Sequence, residues 1–131
     1  MDADQLVIEH LYQTLKSEGN ATILPLVHNV GDPSPNLGWR GLERKALAAR
    51  GAPELILCLA LIHHIVLGAN VPLREFVGWL AELHAALVIE FVTRDDPMVQ
   101  TLLRNKREQY DDYHTMYFEA CLAEAFTVAV T

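Results

Sequence analysis

A chain of 131 residues, 51% hydrophobic and 21% charged, has the composition of one folded domain and not of a disordered segment. Its formal net charge of −7 argues against a nucleic-acid partner, because phosphate binding needs a concentrated positive face and no basic run exceeds Arg104-Asn105-Lys106-Arg107. The longest apolar run, Leu55 to Ile62, is far short of the ~20 residues that span a bilayer, and no basic start leads into an apolar stretch, so neither a membrane partner nor export is expected and the expected location is cytoplasmic.

Met1-Asp2-Ala3-Asp4 reads as the tail of a β-strand that runs directly into a helix over 5–18. Val7, Leu11 and Leu15 form its stripe with Ile8 and Tyr12 beside it, Asp4 is placed to cap it, and Gly19-Asn20 to end it. Residues 22–28 read as a short strand, demoted toward a sheet edge by Pro25, which has no N–H. Residues 29–53 form a long irregular connection, with Asp32-Pro33-Ser34-Pro35 unable to be regular structure and a short helix expected at 42–49. A loop of this length in a small domain is usually functional or mobile. Trp39 within it either covers a ligand or anchors the loop, and anchoring is the favoured expectation.

Residues 54–62 show no alternation and read as a strand apolar on both faces, the kind found inside a parallel sheet with helices on each side. A helix over 73–84 follows, with Leu73, Phe76, Val77, Leu80 and Leu83 inward and Trp79 packing on its flank. Residues 86–92 form a second buried strand, Pro97 opens a helix through about Lys106, another helix spans 115–125, and 126–131 reads as a last strand. Alternation of this kind implies an α/β fold with a mainly parallel sheet. Cys58 and Cys121 show no C-x-x-C pattern; Cys58, inside an apolar run, is expected to be a small buried hydrophobe rather than half of a disulfide.

Ligands of parallel sheets bind beyond the carboxyl ends of the strands. Those ends bring Asp2 and Asp4, His28 and Asn29, His63 and His64, and Glu90 with Asp95 and Asp96. Imidazole and carboxylate suit divalent ions, but no pair has a diagnostic spacing, and no metal is expected. Adjacent His63 and His64 would point to opposite faces if extended, so at most one faces a cleft. Glu90 interrupts an apolar strand; it either faces the cleft or bonds a neighbouring backbone N–H. The pairs Asp95-Asp96 and Asp111-Asp112 read as solvated loop residues. Neither a nucleophile elbow nor a phosphate-binding loop is present.

Four segments, Asp-Pro-Ser-Pro-Asn-Leu-Gly-Trp (32–39), Leu-Cys-Leu-Ala-Leu-Ile-His-His (57–64), Ala-Asn-Val-Pro-Leu (69–73) and Ile-Glu-Phe-Val-Thr-Arg-Asp-Asp-Pro-Met-Val (89–99), occur in this order. With Tyr110-Asp111-Asp112-Tyr113, the chain resembles over nearly its whole length a bacterial group of class I S-adenosylmethionine-dependent methyltransferases that includes nodulation-associated relatives. The resemblance implies a doubly wound, Rossmann-like, mainly parallel sheet with flanking helices, of strand order 3-2-1-4-5-7-6 in the family. It is expected to be incomplete here, without the first strand, the glycine-rich turn, most of the second strand and the last strand of the terminal hairpin. It further implies that Asp2 takes the ribose hydroxyls of S-adenosylmethionine, that Asn29 lies near the adenine where relatives usually carry Asp, and that Leu61, Ile62 and His63 line the methyl-donor cleft. Asp32 stands where relatives commonly have Asn.

A methyl acceptor is implied but not identified, since loops and not the fold select it. Without its cofactor turn the chain is expected to be weak or inactive as an enzyme, and to close the gap in its sheet by self-association into a homo-oligomer or by pairing the strands at 22–28 and 54–62 directly. The alternatives are a non-enzymatic dimerising or partner-binding module, which an exposed apolar patch would favour, and a metal-dependent hydrolase using His28, His63 and Glu90.

Overall fold

The first helix forms where Asp4 can cap it. In the computed structural model, which describes residues 1–104, 106 and 110–129, Asp4 Oδ1 accepts the backbone N–H groups of Leu6 at 2.8 Å and Val7 at 3.3 Å and so opens α1 (Gln5–Ser17). The helix ends where Gly19 turns left-handed at φ +66° and the Asn20 N–H reaches back to the Leu15 carbonyl. Of the expected apolar stripe, Leu15 is buried together with Ile8, while Val7, Leu11 and Tyr12 are exposed.

The chain divides into two compact units, Met1–Leu47 and Ala48–Thr131. In the first, Asp2 donates its N–H to the Leu26 carbonyl and accepts from the His28 N–H at 2.8 Å, a parallel bridge between Asp2 and Val27. The strand tail read at Asp2 is therefore present as one rung of a strand–helix–strand crossover. The strand expected over 22–28 shrinks to that rung: Pro25 offers no donor, and the rest of the segment is irregular and has no partner strand among the described residues.

Residues 34–47 depart further from expectation. In place of a helix at 42–49, the chain folds back on itself, with an antiparallel bridge from Leu37 to Arg44 and single 3₁₀ turns at Trp39–Gly41 and Leu47–Ala49. Trp39 does not anchor this loop; it is 77% exposed at its tip.

The second unit is built on a parallel βαβ crossover. β1 (Leu55–Cys58) pairs with β2 (Ala86–Ile89) in the register Leu55↔Ala86, Leu57↔Val88. Between them lie a π-helical turn (His64–Gly68) and α2 (Leu73–Glu82). α3 (Pro97–Leu103) starts at the Asp96 cap, and α4 (Thr115–Ala125) packs on α2. Buried Leu73, Phe76, Val77 and Leu80 of α2 meet a core that includes Ile62, Ile65, Val66, Leu67, Val99, Phe118 and Cys121. Cys58 and Cys121 are both buried free thiols, and burial pushes the Cys58 thiol upward.

The result is a mixed α/β chain with a two-stranded parallel sheet and flanking helices. The larger doubly wound sheet read from the sequence is not formed among the described residues. Both strands are shorter than expected, and neither is buried on both faces. Cys58 is buried and Ile56, Leu87 and Ile89 half-buried on one side, while Leu55, Leu57, Leu59 and Val88 are exposed on the other. Residues 126–129 form no strand, and the rest of that expected strand, like Asn105 and Arg107, lies outside the described residues.

Candidate functional site at the carboxyl end of the parallel strands

β1 ends because Ala60 turns left-handed at φ +48°, and the chain then coils into the turn that begins at Ile62. An alanine in this conformation is strained, since its Cβ crowds the following carbonyl. Glu90, one residue beyond β2, holds it there: its Oε2 accepts the Ala60 N–H at 2.8 Å, and its own N–H donates to the Cys58 carbonyl at 3.0 Å. Of the two readings of Glu90, the backbone bond is the one formed. The carboxylate stays exposed at the sheet end and ties the two strand termini together.

The turn alters what His63 and His64 can do. They are helical and not extended, so they do not alternate across a sheet; the rings lie against each other, centroids 4.1 Å apart. His63 is 4% exposed and His64 is exposed. The His63 Nδ1 is buried without a hydrogen-bond partner. Burial holds the His63 imidazole below its ordinary value and nearby His64 adds to this, while Asp96 and Glu90 pull the other way. Ile62 is fully buried, so this turn presents to a ligand its backbone and the half-buried Leu61 rather than the Ile62 side chain.

Asp96 is not merely a solvated loop residue. It caps α3, accepting from the Met98 N–H at 2.7 Å and the Val99 N–H at 3.3 Å. Asp95, Asp111 and Asp112 are exposed as expected. Arg94 and Tyr113 have roles that no spacing in the sequence shows. The Tyr113 hydroxyl donates to the Val92 carbonyl at 2.7 Å, and Arg94 donates through Nε to the Tyr113 carbonyl at 3.0 Å and through Nη2 to the Tyr110 carbonyl. These bonds pin the chain beyond β2 to the segment ahead of α4, where Phe91 also stacks on Phe118 and meets the Tyr113 ring at a tilt. The Tyr-Asp-Asp-Tyr segment stood out in the sequence, but no spacing linked it to Arg94.

In the first unit, the Asp2 Oδ1 accepts the Asp4 N–H at 2.8 Å and Oδ2 makes no hydrogen bond among the described residues. The Asn29 Oδ1 accepts the Gly31 N–H at 3.0 Å, which leaves its amide NH₂ as the outward-facing donor. Asp2 and Asn29 are both exposed. The His28 Nε2 and Ser34 Oγ are buried without partners. No three His, Cys, Asp or Glu side chains among the described residues are grouped so as to hold a metal ion, so the hydrolase alternative on His28, His63 and Glu90 finds no support. No helix among them is long and apolar enough to cross a membrane.

The chain is similar to the nodulation protein NoeA of Rhizobium meliloti (strain 1021), with 34% identity over 101 residues, which cover 77% of this chain and 21% of that protein. It thus spans about a fifth of the length of that curated relative. No family model matches the chain, and no solved structure matches it.

Proposed function

We propose that this chain forms part of the cofactor-binding region of an S-adenosylmethionine-dependent methyltransferase with a Rossmann-like sheet, and that alone it binds the cofactor weakly. The supporting observation is the parallel βαβ crossover whose two strands end together, with Ala60, His63 and Glu90 at the carboxyl edge where such sheets take ligands. The ordered segments 57–64 and 89–99, which carry the resemblance, supply that edge.

The residues fit the cofactor in part. In the second unit, Leu61 and the turn backbone through His63 would line the side where the methyl group is held, and Ile62 would support that turn from the core. The resemblance assigns Asp2 and Asn29 of the first unit to the ribose hydroxyls and the adenine; within that unit the Asp2 Oδ1 accepts the Asp4 N–H and the Asn29 Oδ1 accepts the Gly31 N–H, and the structural support for cofactor binding comes from the second unit alone. The sequence contains no glycine-rich turn to let backbone approach the cofactor closely, which is the physical reason for weak binding. When bound, the cofactor would supply the electrophilic methyl group.

An amide NMR titration with S-adenosylmethionine tests this. Millimolar binding is expected, with shifts at Leu61 and His63. No shift at these residues at the highest cofactor concentration would overturn the assignment. Micromolar binding by calorimetry would overturn the claim of weakness.

A second reading, a self-associating module without enzymatic activity, is favoured by a different observation. Leu55, Leu57, Leu59 and Val88 form a row of exposed aliphatic side chains on one sheet face, the kind of patch that marks an interface.

A further inference from the structure

We propose that the Trp39 loop of one copy covers the open sheet face of a second copy, by mutual exchange. The inference rests on the self-association reading and names its surfaces.

The loop is built to project. The Leu37 N–H donates to the Arg44 carbonyl at 2.9 Å, and the Glu43 and Arg44 N–H groups both donate to the Leu37 carbonyl. Below this rung, the Asn36 Oδ1 accepts the Ala46 N–H, and the Leu47 N–H donates to the Ser34 carbonyl at 3.2 Å. Gly38, Arg40 and Gly41 all lie in the left-handed region. This braced turn holds Trp39 and Leu42 in solvent, 77% and 76% exposed. A chain that left two large apolar groups projecting from a flexible loop could fold them back; these backbone bonds prevent it.

Charge favours a second copy as the occupant. Residues 36–47 carry Arg40, Arg44 and Lys45 against Glu43, a net +2, while the chain as a whole carries −7. The remaining residues therefore hold −9. The apolar row carries Leu55 and Leu57 of β1, Val88 of β2 and Leu59 just beyond the end of β1. Exposed Glu90, two residues beyond Val88, puts one carboxylate at the end of the strand pair, where its Oε2 also accepts the Ala60 N–H. An apolar tip with a cationic flank thus meets an apolar face with an acidic end. One such contact is small against what stable association requires. Each copy holds one loop and one face, so a pair of copies carries the complementary surfaces twice.

Sedimentation equilibrium of the full chain is expected to show a reversible dimer that weakens with salt. The double variants W39A/L42S and L57E/V88E should each be monomeric. Mixed together, they should regain a weaker dimer, because one retains its loop and the other its face. A nitroxide on K45C of an unlabelled chain should broaden the Leu57 and Val88 amides of an isotope-labelled copy with native sequence; Cys58 and Cys121 are buried and so shielded from the label. This second measurement stands whether or not the double variants fold. A monomer up to near-millimolar protein would overturn both this inference and the self-association reading. A W39A/L42S dimer as tight as the parent's, or amide broadening away from the sheet face, would overturn the exchange and leave self-association standing.

Discussion

Tyr113 shows how much one side chain settles. It is fully buried, its hydroxyl serves the Val92 carbonyl, and its own carbonyl receives Arg94. Burial first, then nearby Asp96, push the phenol up to about 12, against the opposing pull of Arg94. Tyr113→Phe is expected to lower unfolding free energy by about 1–3 kcal/mol, because the Val92 carbonyl is left without its partner. Urea titrations at neutral pH measure this; a change within error would show that water replaces the hydroxyl. The neutral phenol is the form the fold favours, so its contribution is complete below the ordinary value of about 10 and is lost as pH rises toward 12. The phenylalanine variant should lack that alkaline decline. Residues of this kind were hidden in the sequence. Glu90 was visible as a lone carboxylate among apolar neighbours, but only the left-handed Ala60 N–H thirty positions earlier decides what it does.

At the scale of elements, legibility followed the source of the signal. Helices α1, α2, α3 and α4 are readable because capping, proline and apolar spacing are local: Asp4 accepts N–H groups within three residues and Pro97 cannot sit deeper in a helix, whereas the Asp96 cap emerges only in the structure. Strand ends and the 34–47 loop were not, because both depend on hydrogen bonds between distant positions. Gly38 is the sharpest case. Its φ is +85°, and an added Cβ would lie 2.5 Å from the Glu43 Cβ. Gly38→Ala is therefore expected to destabilise the loop by about 1–2 kcal/mol or more through backbone strain alone. Amide exchange reads this out as faster exchange at Leu37, Glu43 and Arg44 with α2 unchanged. Unaltered protection at those three amides would contradict the account of the loop as a braced turn.

At the scale of the molecule, His63 makes stability depend on pH. Its folded value lies below the ordinary 6.5, chiefly through burial. The neutral ring is the form the folded chain holds, so this contribution is complete above about 6.5 and is lost as pH falls toward the folded value. His63→Leu should remove that part of the acid decline while leaving the rest of the profile. Denaturant titrations from neutral to mildly acidic pH check it, and parallel slopes for parent and variant would refute it.

The sequence alone was enough for the four helices, for the two parallel strands and their order, and for the buried face of α2, because periodicity, capping and proline act within a few residues. It also placed His63 and Glu90 near strand ends. Tertiary structure alone decided how wide the sheet is, which face of it stays open, that His63 turns inward while His64 does not, and that Trp39 points outward. Each of those depends on which distant backbone groups find partners and which apolar surface is covered, and neither is a property of any local run of residues.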